Sequence, residues 1–273
     1  MSDFLSVMAE ESSRRARSVR EEISKSGVET RLSRAAPPIP LDVRDPGFDV
    51  IAEAKLSSPS EGRLVSGQRG AGAVLDLARS YAGGGAAAIS VLTEESRFEG
   101  SMAHLETVSA EVRVPVMRKD FLVDPIQVLE ARAAGASGVL LIARMLPGAL
   151  LAEMTDLALA HDMFVLVELF DRPDIEIAAG VFDRDVLVGV NCRDLATLEV
   201  DTTRFETMAP HLPDHLALVA ESGLATADDV AAVATLGYRL ALVGSSLVTE
   251  VDPAKRLVEM VAAGRSALTG TAS

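Results

Sequence analysis

The stretch Val50-Ile-Ala-Glu-Ala-Lys55 combines an apolar strand with two ionisable side chains. Its residues are apolar in succession apart from Glu53 and Lys55, which is typical of a parallel strand buried on both faces. Glu53 and Lys55 are two positions apart, so an extended chain points both side chains to the same face. The stretch therefore predicts a strand that carries a carboxylate and an ammonium group into one interior.

Similar apolar runs recur along the chain, and helical patterns separate most of them. Gly135 and Gly237, like the glycines at 83–85, stand where a helix must end before the next run. Such alternation predicts a closed parallel barrel or a doubly wound sheet, and eight runs favour an α/β fold of the (β/α)8 TIM barrel type. The eight runs are Val50–Ala54, Ala87–Leu92, Val114–Met117, Gly138–Ile142, Phe164–Val167, Val186–Val190, Leu216–Ala220 and Leu240–Val243.

The residues before the first run predict a helical extension. Leu5, Met8 and Ala16 recur at near-helical spacing in an amphipathic stretch from Phe4 to about Ser26. Three prolines between Ala35 and Leu41 exclude a helix or an interior strand there and indicate a stiff connector. We therefore assign residues 1–48 to an N-terminal helical extension and residues 49–273 to the barrel.

Composition excludes several classes of function. The 273 residues include 48% hydrophobic residues but no Trp, so the core must be largely aliphatic. A net charge of −14 argues against partners such as nucleic acid or an anionic membrane surface. Cys192 is the only cysteine, and the four histidines form no ligand motif, so we expect no disulfide and no metal site. No apolar stretch suits a signal peptide or a membrane helix, which predicts a cytoplasmic protein.

In a barrel the active site lies at the C-terminal ends of the strands, where this sequence places polar residues. An ion pair that only stabilises the barrel would explain Glu53 and Lys55 taken alone. That explanation weakens when the other ionisable groups are added, because converging charges are costly to desolvate without a ligand. The polar residues at the strand ends that we select as site candidates are Glu53, Lys55, Lys119, Glu168, Asn191 and Glu221.

Two dipeptides predict a phosphate site. Ser222-Gly223 and Gly244-Ser245 follow the seventh and eighth runs, where many barrels bind phosphate through backbone N–H groups. A glycine after a strand is often only part of a turn, but the pair at these two strand ends favours phosphate binding. The residues themselves thus predict a small phosphorylated substrate.

Several motifs, taken together, resemble those of the indole-3-glycerol phosphate synthase family of tryptophan biosynthesis. The resemblance runs in order from about Val50 to Leu247, and the N-terminal segment matches only in its helical character. The motifs are Ile51-Ala-Glu-Ala-Lys-Leu-Ser-Ser-Pro-Ser-Glu-Gly62, Ile89-Ser-Val-Leu-Thr-Glu94, Phe98 with Gly100-Ser101, Pro115-Val-Met-Arg-Lys-Asp-Phe121, Val167-Glu168, Gly189-Val-Asn-Cys-Arg-Asp-Leu195, Ala220-Glu-Ser-Gly223 and Val243-Gly-Ser-Ser-Leu247.

The resemblance implies a reaction and its catalytic residues. The substrate is 1-(2-carboxyphenylamino)-1-deoxyribulose 5-phosphate, which undergoes ring closure, decarboxylation and dehydration. Lys119 is implied as the general acid at the ketone of the ribulose moiety. Lys55 would hold the substrate carboxylate and assist decarboxylation or dehydration, in an order that the sequence leaves open. Glu53 and Glu168 match the family's carboxylates, with Glu168 the partner in proton transfer during loss of water.

The same resemblance implies the residues that bind and orient the substrate. Asn191 and Ser222 would orient hydroxyl groups, Glu221 would support the site, and Phe98 would pack on the aromatic ring. No cofactor or metal is implied, and other enzymes of the tryptophan pathway are candidate partners. The implied phosphate-binding residues are Ser58, Arg193, Gly223, Gly244 and Ser245.

Three positions depart from the family pattern, and they keep alternatives open. Leu56 and Glu61 stand in the first loop where basic residues are common, and Phe170 follows Glu168 at a position that is often histidine. One alternative is a paralogue that acts on a substituted anthranilate derivative. Another phosphate-binding barrel enzyme, such as the sugar-phosphate isomerase of the pathway, would give no role to the two lysines. A non-catalytic barrel would not need the whole set of polar residues at the strand ends.

Overall fold

The eight predicted strands all form in the computed structural model, and they close into one parallel barrel. The structure describes residues 3–22, 25–43, 47–58, 62–64 and 70–270. Around the barrel each strand pairs with its neighbour in the chain. The first strand, β1 (Asp49–Ala54), closes the ring by pairing with both β4 (Ala88–Leu92) and β10 (Leu240–Val243). The predicted (β/α)8 fold is thus confirmed. The strands are β1 (Asp49–Ala54), β4 (Ala88–Leu92), β5 (Val116–Lys119), β6 (Gly138–Ile142), β7 (Phe164–Leu169), β8 (Leu187–Asn191), β9 (Ala217–Glu221) and β10 (Leu240–Val243).

Several strands continue further toward the barrel mouth than their apolar runs. Lys119 pairs in register with Leu92 of β4, and Glu168 pairs with Ile142 of β6. A strand is defined by its backbone hydrogen bonds, so it continues where polar side chains replace apolar ones. Lys119, Glu168, Asn191 and Glu221 therefore lie on strands rather than on loops. The rigid ladder of the barrel fixes the positions of their backbones.

Helices connect most of the strands, and two extra strands form a short hairpin after β1. Gly85, Gly135 and Gly237 have φ values of 82°, 90° and 94°, which confirms that helix ends use the left-handed conformation there. The hairpin pairs β2 (Ser57–Ser58) with β3 (Gly62–Arg63). The helices that follow β3 are α3 (Ala71–Gly83), α4 (Glu95–Phe98), α5 (Met102–Glu111), α6 (Pro125–Ala133), α7 (Gly148–Leu159), α8 (Arg172–Ala178), α9 (Thr203–Met208), α10 (Ala227–Thr235), α11 (Ser245–Val248) and α12 (Pro253–Gly270).

The N-terminal segment forms two helices, where the sequence predicted one amphipathic stretch. These are α1 (Asp3–Glu22) and α2 (Lys25–Arg34), and residues 23–24 between them lie outside the described part of the chain. The predicted apolar face of α1 is buried through Leu5, Met8 and Ala16. Residues 35–43 contain neither helix nor strand, as their prolines predict. Within the described residues, every helix is too short or too polar to cross a lipid bilayer.

Candidate active site

A cavity of about 480 Å³ lies at the C-terminal ends of the strands, and most of the predicted site residues line it. Residues from distant parts of the sequence meet here because parallel strands end at the same rim. Glu168 is the one predicted residue that is not part of the cavity wall, and it lies buried beside it. The predicted residues in the wall are Glu53, Lys55, Ser58, Phe98, Lys119, Asn191, Arg193, Glu221, Ser222, Gly223, Gly244 and Ser245.

Glu53 binds both lysines of the cavity. Its Oε1 lies 2.9 Å from Nζ of Lys55, and its Oε2 lies 3.6 Å from Nζ of Lys119. Burial alone would raise the pKa of Glu53, but the two ammonium groups outweigh burial and lower it. Burial likewise opposes the charge on Lys119, yet the carboxylates of Glu53, Glu168 and Glu221 raise its pKa above the ordinary lysine value. Lys119 is therefore protonated at neutral pH and can donate a proton.

Two further carboxyl groups lie close together, one in the cavity wall and one buried beside it. Glu168 on β7 and Glu221 on β9 are each 1% exposed, and their carboxyl groups are close enough to interact. Burial raises the pKa of Glu221 well above its ordinary value, and the neighbouring charge of Glu168 raises it further. Burial and this neighbouring charge therefore favour the protonated form of Glu221.

A hydrogen-bonded group at the end of β8 forms the neighbouring wall. Oδ1 of Asn191 accepts hydrogen bonds from Oγ of Ser222 and from the backbone N–H of Arg193, both at 2.9 Å. Ser222 has a φ of 67°, a left-handed conformation that is uncommon for a residue with a side chain. Such strain persists where the surrounding structure holds it, often at functional sites. These bonds keep the Asn191 amide and the Ser222 hydroxyl in fixed orientations.

The two glycines predicted for phosphate binding stand where a side chain would collide with a neighbouring group. Gly223 has a φ of 79°, and a β-carbon there would lie 2.6 Å from Cγ2 of Thr202. A β-carbon on Gly244 would lie 2.6 Å from Oε1 of Glu53 and 3.1 Å from Nζ of Lys55. Gly244 thus makes room for the ion pair as well as leaving its own backbone open to a ligand.

Two phenylalanine rings also line the cavity, and the sequence prediction missed one of them. Phe98 and Phe4 line the cavity, and the ring of Phe121 lies 6.2 Å and 5.9 Å from them, centroid to centroid. Phe4 belongs to α1, so the N-terminal extension contributes directly to the cavity wall. Its position could not be deduced from the sequence, because an apolar residue on an amphipathic helix gives no sign of which cavity it reaches.

Other polar residues at the strand ends serve to hold the mouth together. Thr93, Arg118 and Asp120 are buried and hydrogen-bonded to one another. Glu94 caps α4 by accepting hydrogen bonds from two backbone N–H groups. Arg15 of α1 reaches into this group, with its Nη2 at 2.8 Å from Oδ1 of Asp120 and its Nη1 at 3.9 Å from Oε1 of Glu94. The network therefore attaches α1 to the segment that carries Lys119.

Comparison with known proteins identifies the family. A family model described as indole-3-glycerol phosphate synthase matches residues 8–260. The chain belongs to the indole-3-glycerol phosphate synthase family. Its similarity to an indole-3-glycerol phosphate synthase of Mycobacterium avium (strain 104) is 44% identity over 245 residues, covering 86% of each chain. For the Streptomyces coelicolor protein named indole-3-glycerol phosphate synthase 1, identity is 42% over 258 residues, covering 94% of this chain and 93% of that one.

Solved structures of other proteins share the fold. A 3-hexulose-6-phosphate synthase from Salmonella typhimurium aligns with a TM-score of 0.64 at 13% identity, covering 81% of this chain and all of that one. A phosphoribosylanthranilate isomerase from Thermotoga maritima aligns with a TM-score of 0.54 at 14% identity, covering 80% of this chain and 99% of that one. At these identities the similarity concerns the barrel alone. The named synthase relatives give no support to an isomerase or to a non-catalytic barrel.

Two of the three departures from the synthase pattern are accommodated inside the structure. Leu56 is buried in the core. Phe170 is also buried, and the guanidinium carbon of Arg144 lies 4.5 Å from the centroid of its ring. Glu61 lies outside the described residues. Leu56 and Phe170 therefore serve packing in this member of the synthase family.

Proposed function

We propose that this member of the indole-3-glycerol phosphate synthase family uses Lys119, Lys55 and Glu168 to convert 1-(2-carboxyphenylamino)-1-deoxyribulose 5-phosphate to indole-3-glycerol phosphate, CO2 and water. The enzyme is accordingly a carbon–carbon lyase of tryptophan biosynthesis. The observation that carries the assignment of roles is the arrangement of two lysines on either side of Glu53 in one cavity.

Ring closure needs an acid at the ketone. As the aromatic ring carbon attacks the carbonyl carbon, Lys119 donates a proton to the carbonyl oxygen, which becomes a hydroxyl group. The carboxylates around Lys119 keep it protonated, and its position at the cavity wall lets it reach a bound ligand. A well-placed acid of this kind is worth roughly 10²- to 10⁴-fold in rate.

Loss of CO2 and loss of water then restore the aromatic system. Lys55 holds the substrate carboxylate until its bond to the ring carbon breaks and the electron pair remains in the ring system. For dehydration, Glu168 takes a proton from the substrate while a lysine protonates the departing hydroxyl group. The carboxyl group of Glu168 is buried and lies close enough to Lys119 to raise the pKa of the lysine. A proton therefore has only a short distance to travel between Glu168 and Lys119.

The remaining residues of the cavity wall bind and orient the substrate. Asn191 and Ser222 orient substrate hydroxyl groups, Glu221 supports Glu168, and Phe98 packs on the aromatic ring. The cavity wall brings all of these groups except Glu168 around one volume. The phosphate is held by Ser58, Arg193, Gly223, Gly244 and Ser245.

The test is a fluorescence assay of indole-glycerol formation by the wild type, Lys119→Ala and Lys255→Ala. Lys255 is exposed on α12 and does not line the cavity, so its removal controls for loss of one positive charge. We expect a loss of roughly 10²- to 10⁴-fold in kcat for Lys119→Ala and none for Lys255→Ala. Wild-type turnover by Lys119→Ala would refute the assigned acid. A folded wild type that binds this substrate without converting it, or that turns over a substituted anthranilate derivative better, would refute the proposed reaction.

We further propose a domain division, a cellular compartment and a class of partner for this protein. Residues 1–48 form an extension to a barrel domain of residues 49–273, a division supported by the start of β1 at Asp49. The protein works in the cytoplasm, where phosphorylated metabolites are formed. Other enzymes of tryptophan biosynthesis are its candidate partners.

A further inference from the structure

Gly189 lies at the one point of β8 where any larger residue would collide with a carboxyl group of the site. A β-carbon at this position would lie 1.9 Å from Oε1 of Glu221 and 3.2 Å from Cδ1 of Leu166. The first distance is far shorter than any non-bonded contact, so the missing side chain of Gly189 is the space that the Glu221 carboxyl group occupies. Gly189 is also the register partner of Glu168 on the neighbouring strand β7.

The two carboxyl groups in that space require a proton. Ionised carboxylates accept hydrogen bonds but cannot donate them, so these two interacting carboxyl groups can bond to each other only if one of them carries a proton. Both side chains are buried, and among the described residues no protein group hydrogen-bonds to Oε2 of Glu168 or Oε1 of Glu221. Two buried negative charges in contact would be costly without compensation.

The other charged groups near Glu221 do not remove this need. The ammonium group of Lys119 on β5 favours ionisation of Glu221, while the carboxylate of Glu53 on β1 opposes it. Lys55 is engaged with Glu53, and the thiol of Cys192 after β8 is neutral at physiological pH because burial raises its pKa to about 12. Burial and the contact with Glu168 outweigh the attraction of Lys119, so the pKa of Glu221 stays well above the ordinary value.

We propose that Glu168 and Glu221 act as one pair that shares a proton, and that Gly189 is the positioning residue that holds Glu221 in this pair. The pair carries one negative charge in total and can take up one more proton. This inference rests on the proposed function for the use of the pair in catalysis, but not for the protonation state of the free protein.

In the reaction, the pair takes the proton that dehydration removes from the substrate. The carbon–hydrogen electron pair forms the new double bond of the ring, the carbon–oxygen bond breaks, and the hydroxide leaves with a proton from a lysine as one water molecule. The doubly protonated pair then returns one proton to the lysine. Dehydration therefore leaves the lysine and the pair as they began, with the shared proton still on the pair. The proton that Lys119 gives to the carbonyl oxygen during ring closure is replaced from water, because the reaction consumes one proton when the substrate carboxylate leaves as CO2.

The protonation state can be measured without substrate, by infrared spectroscopy of the free wild type and of variants, with each variant spectrum subtracted from that of the wild type. The wild type at neutral pH should show the carbonyl band of a protonated carboxylic acid, and Glu221→Gln should lack it. Glu111→Gln is the matched control, because Glu111 is an exposed carboxylate that pairs with Arg79; its spectrum should keep the band. A wild type without this band, or a band that survives in Glu221→Gln, would overturn the shared proton whether or not the enzyme turns over its substrate.

The positioning role is tested by Gly189→Ala beside Gly180→Ala. No atom lies within 4 Å of a β-carbon added to Gly180, so that control should behave as the wild type. Gly189→Ala should displace the Glu221 carboxyl group, shift or abolish its infrared band and lower kcat on the order of 10²-fold, the effect of misplacing a reacting group by about 1 Å. KM should change little, because the phosphate-binding residues are untouched. A folded Gly189→Ala with the wild-type band and kcat would refute the positioning role.

If Gly189→Ala does not fold, a comparison of Glu221→Gln with Glu221→Ala tests whether Glu221 must be held against Glu168. The amide can donate the hydrogen bond that Glu168 accepts, so we expect a smaller loss of kcat in Glu221→Gln, and equal losses would count against the pair.

Discussion

Replacing Glu53 by glutamine tests whether this carboxylate keeps Lys119 protonated. Oε2 of Glu53 lies 3.6 Å from Nζ of Lys119. Two unit charges at that separation interact by about 1 kcal/mol in water and by about 5 kcal/mol at an effective dielectric constant of about 20. The side chain of Lys119 is 20% exposed to the cavity, so the lower part of that range, about 1–3 kcal/mol, applies.

The direction of the pH shift in Glu53→Gln follows from the protonation state in which Lys119 works as an acid. Lys119 must be protonated, and at present its carboxylate neighbours raise its pKa although burial opposes the charge. Glutamine removes one of these charges while burial remains, so the pKa of Lys119 falls. The alkaline limb of kcat/KM should therefore move to lower pH, by roughly 1 to 2 pH units for an interaction of the size derived above.

The assay is the pH profile of kcat/KM for the wild type, Glu53→Gln and Glu111→Gln, followed by product fluorescence. Glu111→Gln removes a carboxylate from an exposed pair outside the cavity and should reproduce the wild-type limb. Alkaline limbs that superimpose for Glu53→Gln and the wild type would show that Glu53 does not control the proton on Lys119, even if kcat itself falls.

Two other substitutions test the attachment of α1 and the space at the strand ends. Arg15→Ala should lower the free energy of unfolding by about 1–2 kcal/mol in urea denaturation, since it leaves buried carboxylates with one donor fewer. Arg14→Ala on the same helix, 64% exposed and 4.0 Å from its partner, should stay within about 0.5 kcal/mol of the wild type, and equal losses would contradict this account. Gly244→Ala should reduce kcat/KM by roughly 10- to 100-fold with an unchanged circular dichroism spectrum, because its β-carbon would displace Glu53. Wild-type kinetics, like those expected of Gly72→Ala where the added carbon meets open space, would refute that reasoning.

The periodicity of the sequence was sufficient to predict the barrel and the rim of its cavity. A residue at the C-terminal end of a parallel strand is placed by the fold itself, so Glu53, Lys119 and Asn191 could be brought together without knowledge of any contact. Local pattern could not show how far each strand continues, because β5 extends by backbone pairing through Lys119, beyond its apolar run.

Contacts between elements far apart in sequence were beyond prediction. The entry of Phe4 into the cavity depends on how α1 packs across the mouth, and nothing in its own helical pattern specifies this. The role of Gly189 was equally hidden, since it depends on the side chain of Glu221 on the adjacent strand. In both cases the deciding information is a distance between segments, which hydrophobic periodicity does not encode.

The phenylalanine wall of the cavity has an optical consequence. The chain contains no tryptophan, and its two tyrosines, Tyr81 and Tyr238, are buried and lie outside the cavity wall. An indole absorbs at wavelengths where tyrosine no longer does. Light of those wavelengths excites the indole and none of the protein's side chains. Emission under such excitation therefore comes from the substrate and the product, and the protein itself adds no background to the signal that follows turnover.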